Sequence, residues 1–546
     1  MSTETLRAGA ATGTPALNSR PGRALTRLAA RQIRRGAVIV VAVAAGMSAL
    51  VATTFDSVLA DAATAGALDA LAANPAIRTL FGEPVALDDP GGFTVWRTGT
   101  VVAVIVGVWC ILATTRITRG EEDAGRWDVL LAGRTPLPAV LARHLGVLFA
   151  VPVLTGTAIT VALVLAGTHP AGAVVHGAGI AVLGLFCIDA AALTAQVFAA
   201  RPGATGAAMA LLGVGLLARM VGDGVTALGW LRWTSPFGLL ELTRPYAQNR
   251  LLPLLVLAAA AAALLVAARM AAGRRDVGGG LVTSTSGRPP RLRLLGSVET
   301  FAVRRALRPV AGWATAVAAY FLLIGLIAES LTGFLGDNPA FADLAAQAGF
   351  AALNTTEGYT ATLFALLAIP VGVFAAVRLA EFAALETNRR LTLLAAQPVP
   401  RNRLLGAEIT ATAGGAVALA TVAGFATWLG VTITGGGLGP AAALAGTWNV
   451  LPIAALCLGA AVLALGCAPR ATGAIGALPA AGGFLLQTIG QSIGAPAWVI
   501  DLSPFAHLAP VPLAEANWSA TLAMAGLAVA LTVVGGYGYR RRDLRG

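Results

Sequence analysis

The chain contains no lysine: every one of its 38 basic residues is arginine. A Walker A loop needs a lysine on the β- and γ-phosphates, so the chain is not a P-loop ATPase. Schiff-base and general-base lysine chemistry is excluded for the same reason. Charge of either sign is scarce. Only 12% of the 546 residues are charged, 57% are hydrophobic, and the mean hydropathy is +0.77. A soluble protein of this length needs a more polar surface, so lipid is the solvent for much of the chain. Cysteine is nearly absent. Cys110, Cys187, Cys457 and Cys467 all fall inside apolar stretches, so no disulfide framework is implied and they read as small buried hydrophobes.

What is present is a series of apolar runs of about 18 residues or more, each long enough to cross roughly 30 Å of hydrocarbon. The first lies behind an Arg-rich segment and lacks a small-residue cleavage site, which reads as a retained helix. Spans are expected at 36–56, 98–115, 144–167, 171–198, 204–222 and 251–272 in one half. In the other they are expected at 309–331, 360–380, 405–432, 441–466, 473–492 and 517–538. The fold class is therefore all-α and polytopic, with about twelve transmembrane helices. With the N-terminus in the cytoplasm, 32 of the 38 arginines fall on the inner side. The opposite orientation inverts the positive-inside rule at nearly every loop, so both termini are expected in the cytoplasm of a bacterial cell (plasma) membrane protein. The net charge of +12 is thus a matter of topology, with no nucleic-acid partner. Trp96, Trp230, Trp233, Trp313, Trp498 and Trp518 sit near span ends, as interfacial anchors do.

The two halves repeat one another. Leu130–Pro136 (LLAGRTP) recurs as 393–399 (LLAAQPV), and Ala204-Thr205-Gly206 as Ala471-Thr472-Gly473. Ser235-Pro236-Phe237 recurs as Ser503-Pro504-Phe505, and Arg274-Arg275-Asp276 as Arg541-Arg542-Asp543. Arg31 and Arg35 correspond to Arg304 and Arg308. Matches in one order at nearly one offset imply two parallel six-helix repeats, 22–276 and 298–546. The Gly-, Ser- and Pro-rich stretch 277–297 reads as a cytoplasmic linker, and 1–21 as a disordered tail.

Three segments stand out as candidates for function. Arg-rich amphipathic stretches at 24–35 and 298–309, carrying Arg31, Arg35, Arg304 and Arg308, suit an elbow helix lying flat at the cytoplasmic interface. A plain positive-inside anchor is the alternative. The inner loops between the second and third spans combine carboxylates, arginines three residues on, an LLA patch and a proline stop. The pairs are Asp123 with Arg126 and Glu386 with Arg389, and the pattern reads as a short projecting helix that docks a soluble protein. Glu121, Glu122 and Asp123 have no His or Cys beside them, so no metal or catalytic site is assigned. The outer stretches 223–250 and 494–518 are apolar, aromatic and broken by proline, which fits a re-entrant gate, or else a loop resting on the surface. Within the spans, Asp189 and His176 are either pathway residues or hydrogen-bonded structural groups. The outer acids, Glu83 and Asp89 among them, look like a solvated face.

The charged helix between spans two and three, the elbow and the broken outer hairpin together resemble the type-2 ABC exporter permeases. More narrowly, RGEEDAGRWDVLLAGRTP (119–136), the two SPF triplets and the two RRD endings are similar to fused, double-length actinobacterial permeases for polyketide or tetronasin-type antibiotics. The resemblance covers about 22–546. It implies a transport subunit, not an enzyme, that expels hydrophobic or amphipathic compounds. ATP and Mg²⁺ would be bound by two copies of a separate ATPase, and this chain itself would hold no cofactor. Docking would fall on Glu121, Glu122, Asp123, Arg126, Trp127 and Arg134 in one half, and on Glu386, Arg389, Arg390 and Arg401 in the other. Leu385 and Arg390 stand where the first half has Glu122 and Trp127, so the two docking sites are expected to be unequal. A major-facilitator-type carrier driven by a proton gradient is the alternative, since it also joins two parallel six-helix repeats. Few intramembrane carboxylates speak for it. A membrane-bound enzyme would need convergent acids or histidines, which are not visible here.

Overall fold

A computed structural model of the chain describes residues 21–55, 78–79, 81–132, 136–282, 294–337, 355–387, 398–492 and 495–542. Of the expected tail only Pro21 is among them, and the expected linker is described only at 277–282 and 294–297. The described residues are helical and contain no strand. They divide into two compact units, one within Met1–Ala65 and Phe81–Ser284, the other within Gly66–Leu80 and Thr285–Gly546.

The first unit runs α1 (Pro21–Thr53), α2 (Pro90–Ile117), the short α3 (Arg119–Asp123) and α4 (Arg126–Leu131), then α5 (Leu137–Leu165) and α6 (Pro170–Val197). It closes with α7 (Arg201–Gly224), a 3₁₀ stretch (Thr226–Thr234), α8 (Pro236–Leu242) and α9 (Leu252–Ala272). Proline sits in the first turn of α2, α5, α6, α7, α8 and α9, where its missing N–H costs nothing and its fixed φ suits a helix start. Asp89 caps α2 by accepting from the amides of Gly91 and Gly92 at 2.7 and 3.1 Å. α6 is the central helix, packed against α2, α5 and α9. Its approach to α5 is backbone-close, since a Cβ on Gly156 would lie 2.2 Å from the Gly177 carbonyl oxygen. With no hydrophobic driving force between helices in lipid, such small-residue contacts hold a bundle together.

The second unit runs α10 (Val298–Asp337), α11 (Thr356–Thr387), α12 (Arg401–Ile433), α13 (Pro440–Trp448) and α14 (Leu451–Cys467). There follow α15 (Thr472–Ala477), a single π turn (Leu478–Gly482), α16 (Gly483–Ser492), α17 (Ala497–Ile500), a 3₁₀ turn (Pro504–His507) and α18 (Trp518–Arg541). α14 is the central helix here, between α11 and α18. Asn449, at the break between α13 and α14, donates its side-chain amide to the carbonyl of Ala509 at 2.9 Å.

Eleven helices among the described residues are long and apolar enough to cross a membrane. The expected span at 473–492 is helical too, but the π turn divides it into two short helices. The elbows need correcting. The Arg-rich stretches are not separate helices lying flat; each continues without a break into the span that follows, in α1 and α10. Leu25, Ala29 and Ile33 recur every fourth residue and are buried, as are Ala302 and Ala306 in α10, so these turns already pack on their own unit. Arg31, Arg35 and Arg308 remain exposed and Arg304 half-buried. Cys110, Cys187 and Cys457 are buried as expected, but Cys467, at the end of α14, is exposed.

Candidate functional site

The segment between α2 and α5 of the first unit is held by a buried acid. Glu122, at the end of α3, takes a bidentate ion pair from Arg275, at 2.5 and 2.6 Å, and a third contact from Arg119 at 3.1 Å. It also accepts from the amide of Gly278 at 2.7 Å. All three charged side chains are essentially excluded from solvent. Such pairs are strong because planar guanidinium and carboxylate match bond for bond. Glu122 is therefore not part of an exposed docking face, because its two oxygens are consumed inside the unit. Trp127 is likewise buried, its ring 5.4 Å from that of His144.

The pairing expected for Asp123 and Arg126 is also replaced. Arg126 pairs with Glu121 at 2.6 and 2.7 Å, which raises its pKa, and Asp123 contacts Arg119 at 3.3 Å and accepts from the amide of Arg201 at 2.7 Å. The five-residue α3 ends in a left-handed Gly125, and that turn swings Arg126 back over Glu121. What α4 presents outward is Arg126, Asp128 and Val129, the last 79% exposed. Arg134 lies outside the described residues.

The second unit repeats the latch. Arg542 contacts both oxygens of Glu386 at 2.5 Å, and Arg401 donates to the Arg542 carbonyl at 2.9 Å. Arg275 and Arg542 are the middle residues of the two RRD endings; the first ties α3, just after the second span, to the end of α9, and the second ties the last turn of α11 itself to the end of α18. Arg389 and Arg390 lie outside the described residues. Glu386 thus pairs with Arg542 in the described structure. The repeated RRD triplet was the signal for this contact, but no spacing rule connects residues about 150 positions apart.

The Ser-Pro-Phe triplets are also placed alike. Ser235 Oγ donates to the Gly215 carbonyl at 2.6 Å and accepts from the amides of Phe237 and Gly238 at 3.1 and 3.2 Å. Ser503 Oγ donates to the Gly483 carbonyl at 2.9 Å and accepts from the amide of Phe505 at 3.2 Å. Pro236 and Pro504 lie on the same two glycines, where a Cβ would come within 2.9 and 2.8 Å of the ring. Each serine both caps a short helix and pins it to the preceding span. Phe237 and Phe505 are buried. Ser235→Ala and Ser503→Ala should each cost about 1–2 kcal/mol of stability, read as a lower thermal midpoint in detergent. If one midpoint falls and the other does not, the two clamps are not equivalent.

In the first unit Arg219 and Asp223, which flank the end of the fifth expected span, belong to a charge network whose other members lie outside that span. Arg219 contacts Asp223 at 2.6 Å and Glu241 at 3.1 Å. Glu83 is bridged by Arg232 at 2.8 Å and Arg244 at 2.6 Å, and its amide donates to Glu241. Glu83 is thus a paired group, not a member of a solvated face, and Asp89 is a helix cap. Burial pushes the Glu83 carboxyl up, but Arg244 and Arg232 outweigh it and hold it below its ordinary 4.5. A lowered folded-state value means that this pairing stabilises fully above about 4.5 and fades as pH falls through the lower value. Glu83→Gln should flatten the acid limb of the melting-temperature profile; an unchanged limb would show that other carboxylates control it.

His176 and Asp189 are both buried, but they stand thirteen residues apart on α6, about 20 Å along its axis. The fold does not bring them together. His176 reaches a cleft beside Arg219 and Glu241, whereas Oδ1 of Asp189 makes no hydrogen bond.

The apolar spans and the absence of strands among the described residues define an all-α polytopic membrane permease. The sequence profile described as multidrug efflux system permease Rv1217c, C-terminal domain, matches residues 24–272 and 295–540, and the chain belongs to that family. The multidrug efflux system permease protein Rv1217c of Mycobacterium tuberculosis (strain ATCC 25618 / H37Rv) is 30% identical to it over 494 residues. That alignment takes in 88% of this chain and 87% of the relative.

Proposed function

We propose that the chain is the membrane-spanning subunit of an ABC-type exporter that expels hydrophobic or amphipathic compounds, antibiotics and drugs among them. Two copies of a separate ATPase supply ATP and Mg²⁺ chemistry. The observation that carries this reading is the repeated latch. An external motor needs a rigid handle: Glu122–Arg275 ties α3 to the end of the first unit's last helix, and Glu386–Arg542 ties the last turn of α11 to the end of the second unit's last helix. A push on the segment therefore reaches a span directly. The outward face of α4, with Arg126, Asp128 and Val129, offers the mixture of charge and apolar surface that a soluble partner engages. The lack of lysine supports an ATPase on another chain. The name of the mycobacterial relative, a multidrug efflux system permease protein, supports drugs as the cargo. Arginine placement supports an orientation with both termini in the cytoplasm.

Purification of the tagged chain from native membranes, with mass spectrometry of what accompanies it, tests this reading. Recovery of a P-loop ATPase at about two copies per chain is the expected result. Recovery of the chain alone, with transport that survives ATP depletion but stops when the proton gradient collapses, would replace it with a major-facilitator-type carrier. Asp189 would then be the residue to mutate.

A further inference from the structure

Between the start of α2, the second turn of α6, the end of α7 and α8, the first unit holds a cleft that is open on one side. Its walls are Phe81, Trp96, Phe237 and Leu240, and its polar lining includes His176, Arg219 and Glu241. The charged groups around it are matched. Arg219, Arg232 and Arg244 contact Asp223, Glu241 and Glu83, three cations with three anions. No net charge is left over to attract an ion.

His176 is the exception. Its side chain is 1% exposed, it lines the cleft, and neither Nδ1 nor Nε2 has a hydrogen-bond partner. Leaving a buried polar group unpaired costs about 1–3 kcal/mol, so an imidazole kept in this state is one that another molecule can satisfy. A neutral imidazole offers one donor and one acceptor. A hydroxyl or an amide can answer either one, as donor or as acceptor, whereas a carboxylate brings a charge that nothing here balances. The apolar walls in turn favour a flat, apolar body.

We propose that this cleft is a binding site for uncharged, apolar molecules that carry one hydroxyl or amide group, with His176 as the group that reads the polar end. The site lies wholly within the first unit. Gln487, Gln491 and Ala509 stand near the positions that correspond to Arg219, Asp223 and Glu241, so the second unit does not repeat the surrounding charges. The proposal rests on cleft geometry alone and needs neither an ATPase nor transport.

The chain has only four histidines, which makes ring-¹⁵N-labelled histidine a workable probe in the full chain in lipid nanodiscs. The probe ligand is 2-naphthol, with naphthalene and 2-naphthoate as its apolar and anionic counterparts. One histidine ring should shift saturably with 2-naphthol and with neither counterpart. His176→Phe should abolish that shift and weaken 2-naphthol binding about tenfold, the loss of roughly one hydrogen bond. His176→Gln, which keeps a donor and an acceptor, should recover part of the affinity. The proposal falls if no ring shifts, if naphthalene or 2-naphthoate binds the unmodified chain as well as 2-naphthol, or if His176→Phe binds undiminished. The comparison of the three ligands needs no variant, so a misfolded His176→Phe does not stall the test. Because binding is read without ATP, its failure would leave the exporter reading standing, and the reverse also holds.

Discussion

Glu122→Ala should cost the first unit about 3–5 kcal/mol, among the largest losses available to a single substitution. The reason is what it leaves behind. Arg119 and Arg275 are 1% and 2% exposed, and both now face the space vacated by their shared acid. Asp123, 3.3 Å from Arg119, compensates one of them in part. The reverse change, Arg275→Ala, should lie at the lower end, about 3 kcal/mol, because Arg119 stays 3.1 Å from Glu122. Glu386→Ala should cost less again, about 1–2 kcal/mol, since Arg542 is 19% exposed and can be hydrated. Thermal midpoints of the detergent-solubilised chain, read by size-exclusion with fluorescence detection, give the order. Equal midpoints for all three variants would mean that these ion pairs do not hold the ends of their units' last helices in place.

Arg219→Leu is the second large effect, again about 3–5 kcal/mol. Asp223 is 0% exposed at its side chain, and Glu241 15%. Without Arg219 these two acids would have to share Arg232, which is 3.8 Å from Asp223 and already bonded to Glu83. An ionised acid without a near partner at the end of a span is expensive, so the variant should fail to accumulate in the membrane. Adding Asp223→Asn and Glu241→Gln should restore most of its abundance and its thermal midpoint, because no unpaired charge then remains. An Arg219→Leu chain with the parental midpoint would mean that water, not Arg219, satisfies the two acids.

How much of this was legible beforehand depended on range. Length and hydropathy locate the spans, because crossing hydrocarbon is a one-dimensional requirement that each segment meets on its own. The Ser-Pro-Phe triplets could be read as important from their repetition, and their capping role is local, two or three residues away. The clamp onto Gly215 and Gly483, twenty residues back, was not visible, since nothing in a sequence fixes how a broken segment folds onto the span before it. Burial defeated the reading of Glu121–Trp127. Three acids and an arginine in a short helix look like a solvated face, and only the tertiary partner Arg275 shows that Glu122 is enclosed. The elbows failed for a related reason. An amphipathic stretch before an apolar run has the same pattern whether the helix bends at the interface or runs straight through, and here α1 and α10 run straight.

The π turn at Leu478–Gly482 marks a place where the two halves differ by one residue. Ahead of it, Ala204 and Thr205 correspond to Ala471 and Thr472 at an offset of 267; beyond it, Gly215 and Ser235 correspond to Gly483 and Ser503 at 268. One residue inserted into a regular α-helix would rotate everything after it by about 100° and turn Gly483 away from its serine. A π turn absorbs that residue as a local bulge, leaving the register beyond it intact. The bulge thus takes up the one residue by which the halves differ, and deleting one residue within 478–482 should heal the helix while Ser503 keeps its grip on Gly483.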